Sequence, residues 1–152
     1  VPVTEVLFYH LQRRSLEEIL PGLLEKCLER GWKTAVQTGG PERRDALDTH
    51  LWTYRDDSFL PHGTAREADP ADLPVLLTDD PAERGLATVR FLVDRAVPPT
   101  DLAPYERIVL VFDGNDPEAL VEARGHWKTF KDGGHACTYW AEDENGRFVK
   151  KA

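Results

Sequence analysis

Cysteine is scarce. Cys27 and Cys137 are the two in 152 residues, too few for a disulfide framework and not spaced as zinc-binding pairs. Both read as small buried thiols of a cytoplasmic protein. Long apolar runs are also missing: no window approaches the roughly eighteen consecutive apolar residues of an ordinary membrane span. The opening Val1-Pro2-Val3-Thr4-Glu5 lacks the basic and apolar regions of a signal peptide. Positive charge is in deficit, with 19 Lys and Arg against 27 Asp and Glu and a net charge of −8. A wide direct contact with nucleic acid is therefore not expected, since phosphates need a basic footprint.

What remains is a folded, water-soluble composition, 41% apolar and 30% charged, which excludes a mostly disordered chain. The length suits one domain over residues 1–152, able to bury about 68–70% of its unfolded surface without staples. The charge is uneven. From Arg124 onward six basic residues face four acidic ones, so that stretch is +2 and residues 1–123 carry −10. An acidic body with a basic end can attract a small acidic partner while repelling bulk nucleic acid.

Val3 to Tyr9 reads as a strand. Ser15-Leu16-Glu17-Glu18 fits a capping box. Leu16, Ile19, Leu20, Leu23, Leu24, Cys27 and Leu28 follow at helical spacing, with Pro21 expected to kink that helix or mark where its regular part begins and Gly31 to stop it. Lys33 to Thr38 reads as a short strand, and Pro41 opens a second helix faced by Leu47, Leu51 and Tyr54. Asp56 to Asp72 is rich in Pro, Gly, Asp and Ala and reads as a long surface loop. Strands are expected at Pro74–Thr78, Arg90–Val93 and Arg107–Asp113. Asp116 caps and Pro117 opens a third helix, which runs to about Lys131. Gly133-Gly134 ends it, and His135 to Trp140 is the last strand expected. Alternating strands and helices with near-continuously apolar strands indicate an α/β domain, its mostly parallel sheet covered by helices on both faces.

Sites of chemistry are harder to find. The turn Thr38-Gly39-Gly40-Pro41-Glu42-Arg43 follows a strand but lacks a Gly-Lys-Ser/Thr or Gly-x-Gly-x-x-Gly pattern, and Pro41 removes an N–H that a phosphate would need. Asp113-Gly114-Asn115-Asp116 is rich in oxygen but short of a calcium loop, so no metal or cofactor is expected. His10, His50, His62, His126 and His135 are scattered and form no metalloprotease motif, and no Gly-x-Ser-x-Gly elbow occurs. A nucleotide-binding or hydrolytic enzyme on the same sheet is the alternative function.

Two surface signals stand out. Arg124, Trp127, Lys128 and Lys131 recur at i, i+3, i+4 and i+7, placing three cations and an indole on one helix face. Such a cradle suits an acidic peptide with an apolar side chain, because Arg grips a carboxylate through two parallel donors; packing of Trp127 into the core is the competing reading. The other is Leu51-Trp52 through Phe59-Leu60-Pro61-His62, where Trp52 points off the Leu47–Leu51–Tyr54 axis and Phe59, Leu60 and Pro61 occupy a loop that solvent would favour as polar. Clustered apolar groups of this kind mark a docking surface or a satellite core under the loop.

These segments resemble the chi subunit of bacterial DNA polymerase III holoenzyme nearly end to end. The resemblance rests on Phe8-Tyr9-His10-Leu11, on Leu20-Pro21-Gly22-Leu23-Leu24-Glu25-Lys26, on Leu51-Trp52 through Ser58-Phe59-Leu60-Pro61-His62, and on Ala123-Arg124-x-x-Trp127-Lys128. It implies a nucleotide-fold-like α/β domain without enzymatic activity. Such a subunit, monomeric before assembly, bridges the clamp loader, through the psi subunit, to single-stranded DNA-binding protein by gripping that protein's acidic, Phe-ending tail. It meets DNA only indirectly and works in the cytoplasm at the replisome. The tail-binding positions carry over to Arg124, Trp127 and Lys128, with one basic position replaced by Leu120 and Lys131 lying a turn later. The psi-binding aromatics match Trp52 and Phe59.

Overall fold

In the computed structural model, which describes residues 4–53, 62–64, 69 and 72–152, strand β1 (Glu5–Leu11) lies inside a seven-stranded sheet. It begins two residues later than the apolar run suggests and continues through His10 and Leu11. Pairing is the reason: all seven residues match β5 (Arg107–Asp113) in parallel, from Glu5 opposite Arg107 to Leu11 opposite Asp113. On its other side β1 pairs in parallel with β6 (Ala136–Glu142). Between these come α1 (Leu16–Glu29), β2 (Thr34–Gln37), α2 (Pro41–Thr53), β3 (Val75–Thr78), β4 (Val89–Leu92) and α3 (Pro117–Asp132), with β7 (Phe148–Lys150) last. The strand order is β3-β2-β4-β5-β1-β6-β7, parallel except for β7.

Local signals set the helix ends. The Ser15 side chain and Glu18 form the expected capping box at α1, and Gly31, at φ 74°, follows the C-cap. The Asp116 carboxylate accepts the Glu118 N–H at 3.0 Å and Pro117 opens α3. Pro21 neither stops nor breaks α1, which runs through it from Leu16 to Glu29.

Helices cover both faces. α1 and α2 pack Ile19, Leu20, Leu24, Leu47 and Leu51 against one face. α3 packs Ala119, Ala123 and Phe130 against Val6, Phe8, Ile108, Leu110 and Phe112 on the other. Beyond α3 that second face has no helix among the described residues. There Arg90 on β4 is fully buried, and its guanidinium donates to the Asp80 and Glu83 carbonyls at 2.8 Å each and to Gln37 Oε1 and the Tyr105 hydroxyl at 3.0 Å. One side chain so fastens the two loops that close the sheet.

Three expectations need correction. His135–Trp140 is not the last strand: β7 returns antiparallel along β6 after a turn in which Asp143 Oδ1 accepts the Asn145 and Arg147 amides at 2.8 and 2.9 Å. Residues 62–64, assigned from composition to a surface loop, are buried, and Gly63 bridges Leu76 on the outer side of β3. Cys27 is buried as expected, whereas Cys137 is only half-buried. Tyr54 lies outside the described residues, as does most of the Asp56–Asp72 stretch. No helix among the described residues is long and apolar enough to cross a membrane.

Candidate functional site

α3 presents two kinds of surface. Ala119, Ala123 and Phe130 are buried, while Arg124, Lys128 and Lys131 are exposed and Leu120 and Trp127 lie half-buried between them. Trp127 is therefore neither wholly interior nor free of the core. Its ring meets Phe8 edge-on, with centroids 5.3 Å apart, and Tyr139 at 6.2 Å. Lys131 Nζ sits 5.0 Å from the Trp127 ring centre, within cation–π range.

Beside Trp127 opens a groove of about 450 Å³ lined by His10, Phe112, Leu120, Ala123, Arg124, Trp127, Tyr139 and Ala152. The small Ala123 lets the helix sit close to the strands, and aromatic rings from β1, β5 and β6 make the floor. His10 lies tilted against Phe112 at 5.1 Å and meets Tyr139 edge-on at 5.8 Å, and His10 Nδ1 shares a hydrogen bond with the Tyr139 hydroxyl. Gly114 makes room for this arrangement, since a Cβ there would lie 1.8 Å from His10 Nε2. Burial raises the Tyr139 pKa, opposed by the positive charge of Arg124; the phenol stays protonated at neutral pH. Arg124 makes no hydrogen bond or ion pair with any described residue, so its guanidinium stands at the groove mouth with its donors unspent.

Of the residues singled out on this helix, Arg124 and Trp127 wall the groove and Lys131 lies against the indole. Lys128 is exposed on the same stripe but is not part of the lining. His10, Phe112 and Tyr139 were not singled out as site residues. Strand alternation pairs Phe8 with His10, Leu110 with Phe112 and Cys137 with Tyr139 on the α3 side, but which strands adjoin is decided by the fold.

Trp52 is 49% exposed at the end of α2, on the opposite face of the sheet. Its ring packs tilted, at 4.5 Å, against His62, whose side chain is fully buried and reaches the Asp48 carbonyl and carboxylate at 3.2 Å. Phe59, Leu60 and Pro61 lie outside the described residues.

Parallel sheets more often use the crevice beyond their strand C-terminal ends. Here that crevice, about 550 Å³ beyond the ends of β1 and β5, is rimmed by groups already bonded to one another. Arg43 bridges Glu17 and Asp94 at 2.8 and 3.0 Å. The buried Glu142 carboxylate accepts the Gln12 and Arg14 amides at 3.2 and 3.4 Å, occupying donors that a phosphate would require. In the turn after β2, Gly39 is explained by packing: a Cβ would come within 2.4 Å of the Asp94 carbonyl. Among the described residues no three His, Cys, Asp or Glu side chains gather as a metal site.

Fold and groove thus define an α/β domain whose open surface is an aromatic cleft on a helix flank, outside the usual crevice. Comparison with known proteins narrows this class. The family model for the DNA polymerase III chi subunit, HolC, matches residues 3–138. A protein of Rickettsia prowazekii (strain Madrid E), named probable DNA polymerase III subunit chi, is 27% identical over 115 residues, covering 69% of this chain and 67% of that one. The chain belongs to the DNA polymerase III chi subunit family, an accessory component of the replicative polymerase, and DNA replication is the process it serves.

Proposed function

We propose that residues 1–152 act as one adaptor unit that links the clamp loader, through a psi subunit, to single-stranded DNA-binding protein. The acidic C-terminal tail of that protein seats on α3, its carboxylates against Arg124, Lys128 and Lys131 and its terminal Phe against Trp127. The psi or other clamp-loader-side partner docks at Trp52, Phe59, Leu60 and Pro61. The chain supplies no catalytic group, meets DNA indirectly, and acts as a monomer in the cytoplasm until it joins the replisome. The observation that carries this reading is Arg124: an exposed guanidinium at the mouth of an aromatic groove, with no hydrogen-bond or ion-pair partner among the described residues.

The physics is complementary. Charge attraction draws the tail and weakens with salt. A buried Phe ring adds about 1.5–3 kcal/mol that salt does not remove. Ordering a disordered tail offsets part of this, so an affinity near micromolar, about −8 kcal/mol, is expected. Calorimetry with a peptide ending in acidic residues and Phe tests the site. Arg124→Ala should weaken binding by about 1.5–3 kcal/mol, and amidating the peptide terminus should also weaken it. Unchanged affinity in a folded Arg124→Ala protein overturns the assignment.

A further inference from the structure

The His10–Tyr139 pair lies in the groove wall and nothing in the tail-binding reading uses it. We propose that the Tyr139 hydroxyl, steered by His10, is a second donor to the carboxylate of a peptide seated in this groove, and that seating the peptide draws a proton onto His10. The inference rests on the tail-binding reading of the groove and deepens it.

The proton on the imidazole decides which partner donates. His10 and Tyr139 are bonded through Nδ1, and the ring cannot swing toward Gly114, where its Nε2 already abuts the backbone. With a neutral imidazole accepting at Nδ1, the Tyr139 O–H points into the protein and offers an incoming carboxylate only oxygen lone pairs. Once a solvent proton binds Nδ1, that N–H donates to the phenol oxygen. The phenol O–H then turns outward to the carboxylate, beside Arg124. The same proton places a positive charge behind the phenol, where the ligand's negative charge favours it.

The neighbours of His10 fit such a balance. Burial holds the imidazole below its ordinary value, opposed by Asp113 at the end of β5 and Glu142 at the end of β6. From α3, Arg124 acts on the Tyr139 hydroxyl. The free site is thus neutral at His10 near pH 7, and an added carboxylate shifts the balance toward protonation. Linkage requires that a ligand which raises the His10 pKa binds more tightly as pH falls through that range.

The test is the pH dependence of binding between pH 6 and 8, above the titration of the peptide's own carboxyl groups. The probe is a synthetic peptide of acidic residues ending in Phe, with a free or an amidated terminus. Wild type should bind the free-terminus peptide about threefold to tenfold more tightly at pH 6 than at pH 8. The slope should be lost in His10→Asn, and Tyr139→Phe should be both weaker and flatter. The imidazole resonances of His10, followed by NMR in wild type, should titrate at higher pH with peptide bound; that measurement and Tyr139→Phe carry the test if His10→Asn does not fold. A flat wild-type profile, an equal slope with the amidated peptide, or an unmoved His10 titration overturns the inference and leaves the tail site standing. Failure of the peptide to bind wild type overturns both.

Discussion

His50 Nε2 lies 2.7 Å from the carbonyl oxygen of Glu17, the oxygen to which Pro21, four residues later, has no N–H to donate. α1 continues through its proline because a side chain of α2 supplies the missing donor, and the same contact fixes the helix that carries Trp52. His50→Ala should therefore cost about 1–2 kcal/mol by leaving that carbonyl unpaired. Pro21→Ala returns a backbone N–H, so the His50 loss should shrink in the double variant. Urea midpoints for the four proteins check it; equal losses in both backgrounds contradict the account.

Arg90 should be among the most sensitive positions for stability. Arg90→Met keeps much of the volume but strands the Asp80 and Glu83 carbonyls that the guanidinium holds. A loss on the order of 3–5 kcal/mol is expected. Denaturant unfolding that shows less than about 1 kcal/mol would mean that solvent reaches those loops.

The two candidate surfaces should separate under mutation. Trp52→Ala removes a half-exposed ring, so it should leave tail-peptide affinity unchanged while abolishing capture of the clamp-loader-side partner. Parallel calorimetry and pull-down with one preparation read both. Loss of both activities would instead indicate that the exposed indole supports the fold.

Acid should loosen β7 before the rest of the sheet. Backbone N–H groups of Arg147 and Asn145 hold the Asp143 carboxyl below its ordinary value. A depressed carboxyl gives stability that is present above about pH 4 and lost as pH falls through the lower folded value. Asp143→Asn should remove that part of the acid dependence. Hydrogen exchange of the Lys151 amide, which donates to the Tyr139 carbonyl at 2.7 Å, followed as pH is lowered, reports it; an identical profile in wild type and variant would assign the loosening elsewhere.

Features that one stretch of chain decides alone were legible in the sequence. The Ser15 box, the Asp116-Pro117 start and the Gly133-Gly134 stop are local hydrogen-bonding problems with local answers, and β5 declares itself by an unbroken apolar run. The stripe from Arg124 to Lys131 was legible because four positions of one helix share a face. The groove floor was not, because His10, Phe112 and Tyr139 come from three strands brought side by side by the order β5-β1-β6. β7 escaped for a different reason: Phe148-Val149-Lys150 is too short to signal a strand without the Asp143 turn that folds it back. The buried His62-Gly63-Thr64 segment likewise owes its place to β3 and not to its own polar, glycine-containing composition.

At the end of β4, Asp94 and Arg95 take left-handed backbone conformations, φ 52° and 61°. Asp94 is clamped by Arg43 of α2, and Arg95 pairs with Glu118 and Glu122 of α3. The helices on opposite faces thus meet neighbouring residues of one turn at the sheet margin, through exposed ion pairs. Exposed pairs of this kind carry little energy, and the two surfaces share no side chain: ligands seated at Trp52 and at Arg124 would contribute nearly independent binding energies, and the strength of a doubly occupied assembly would follow from each measured alone.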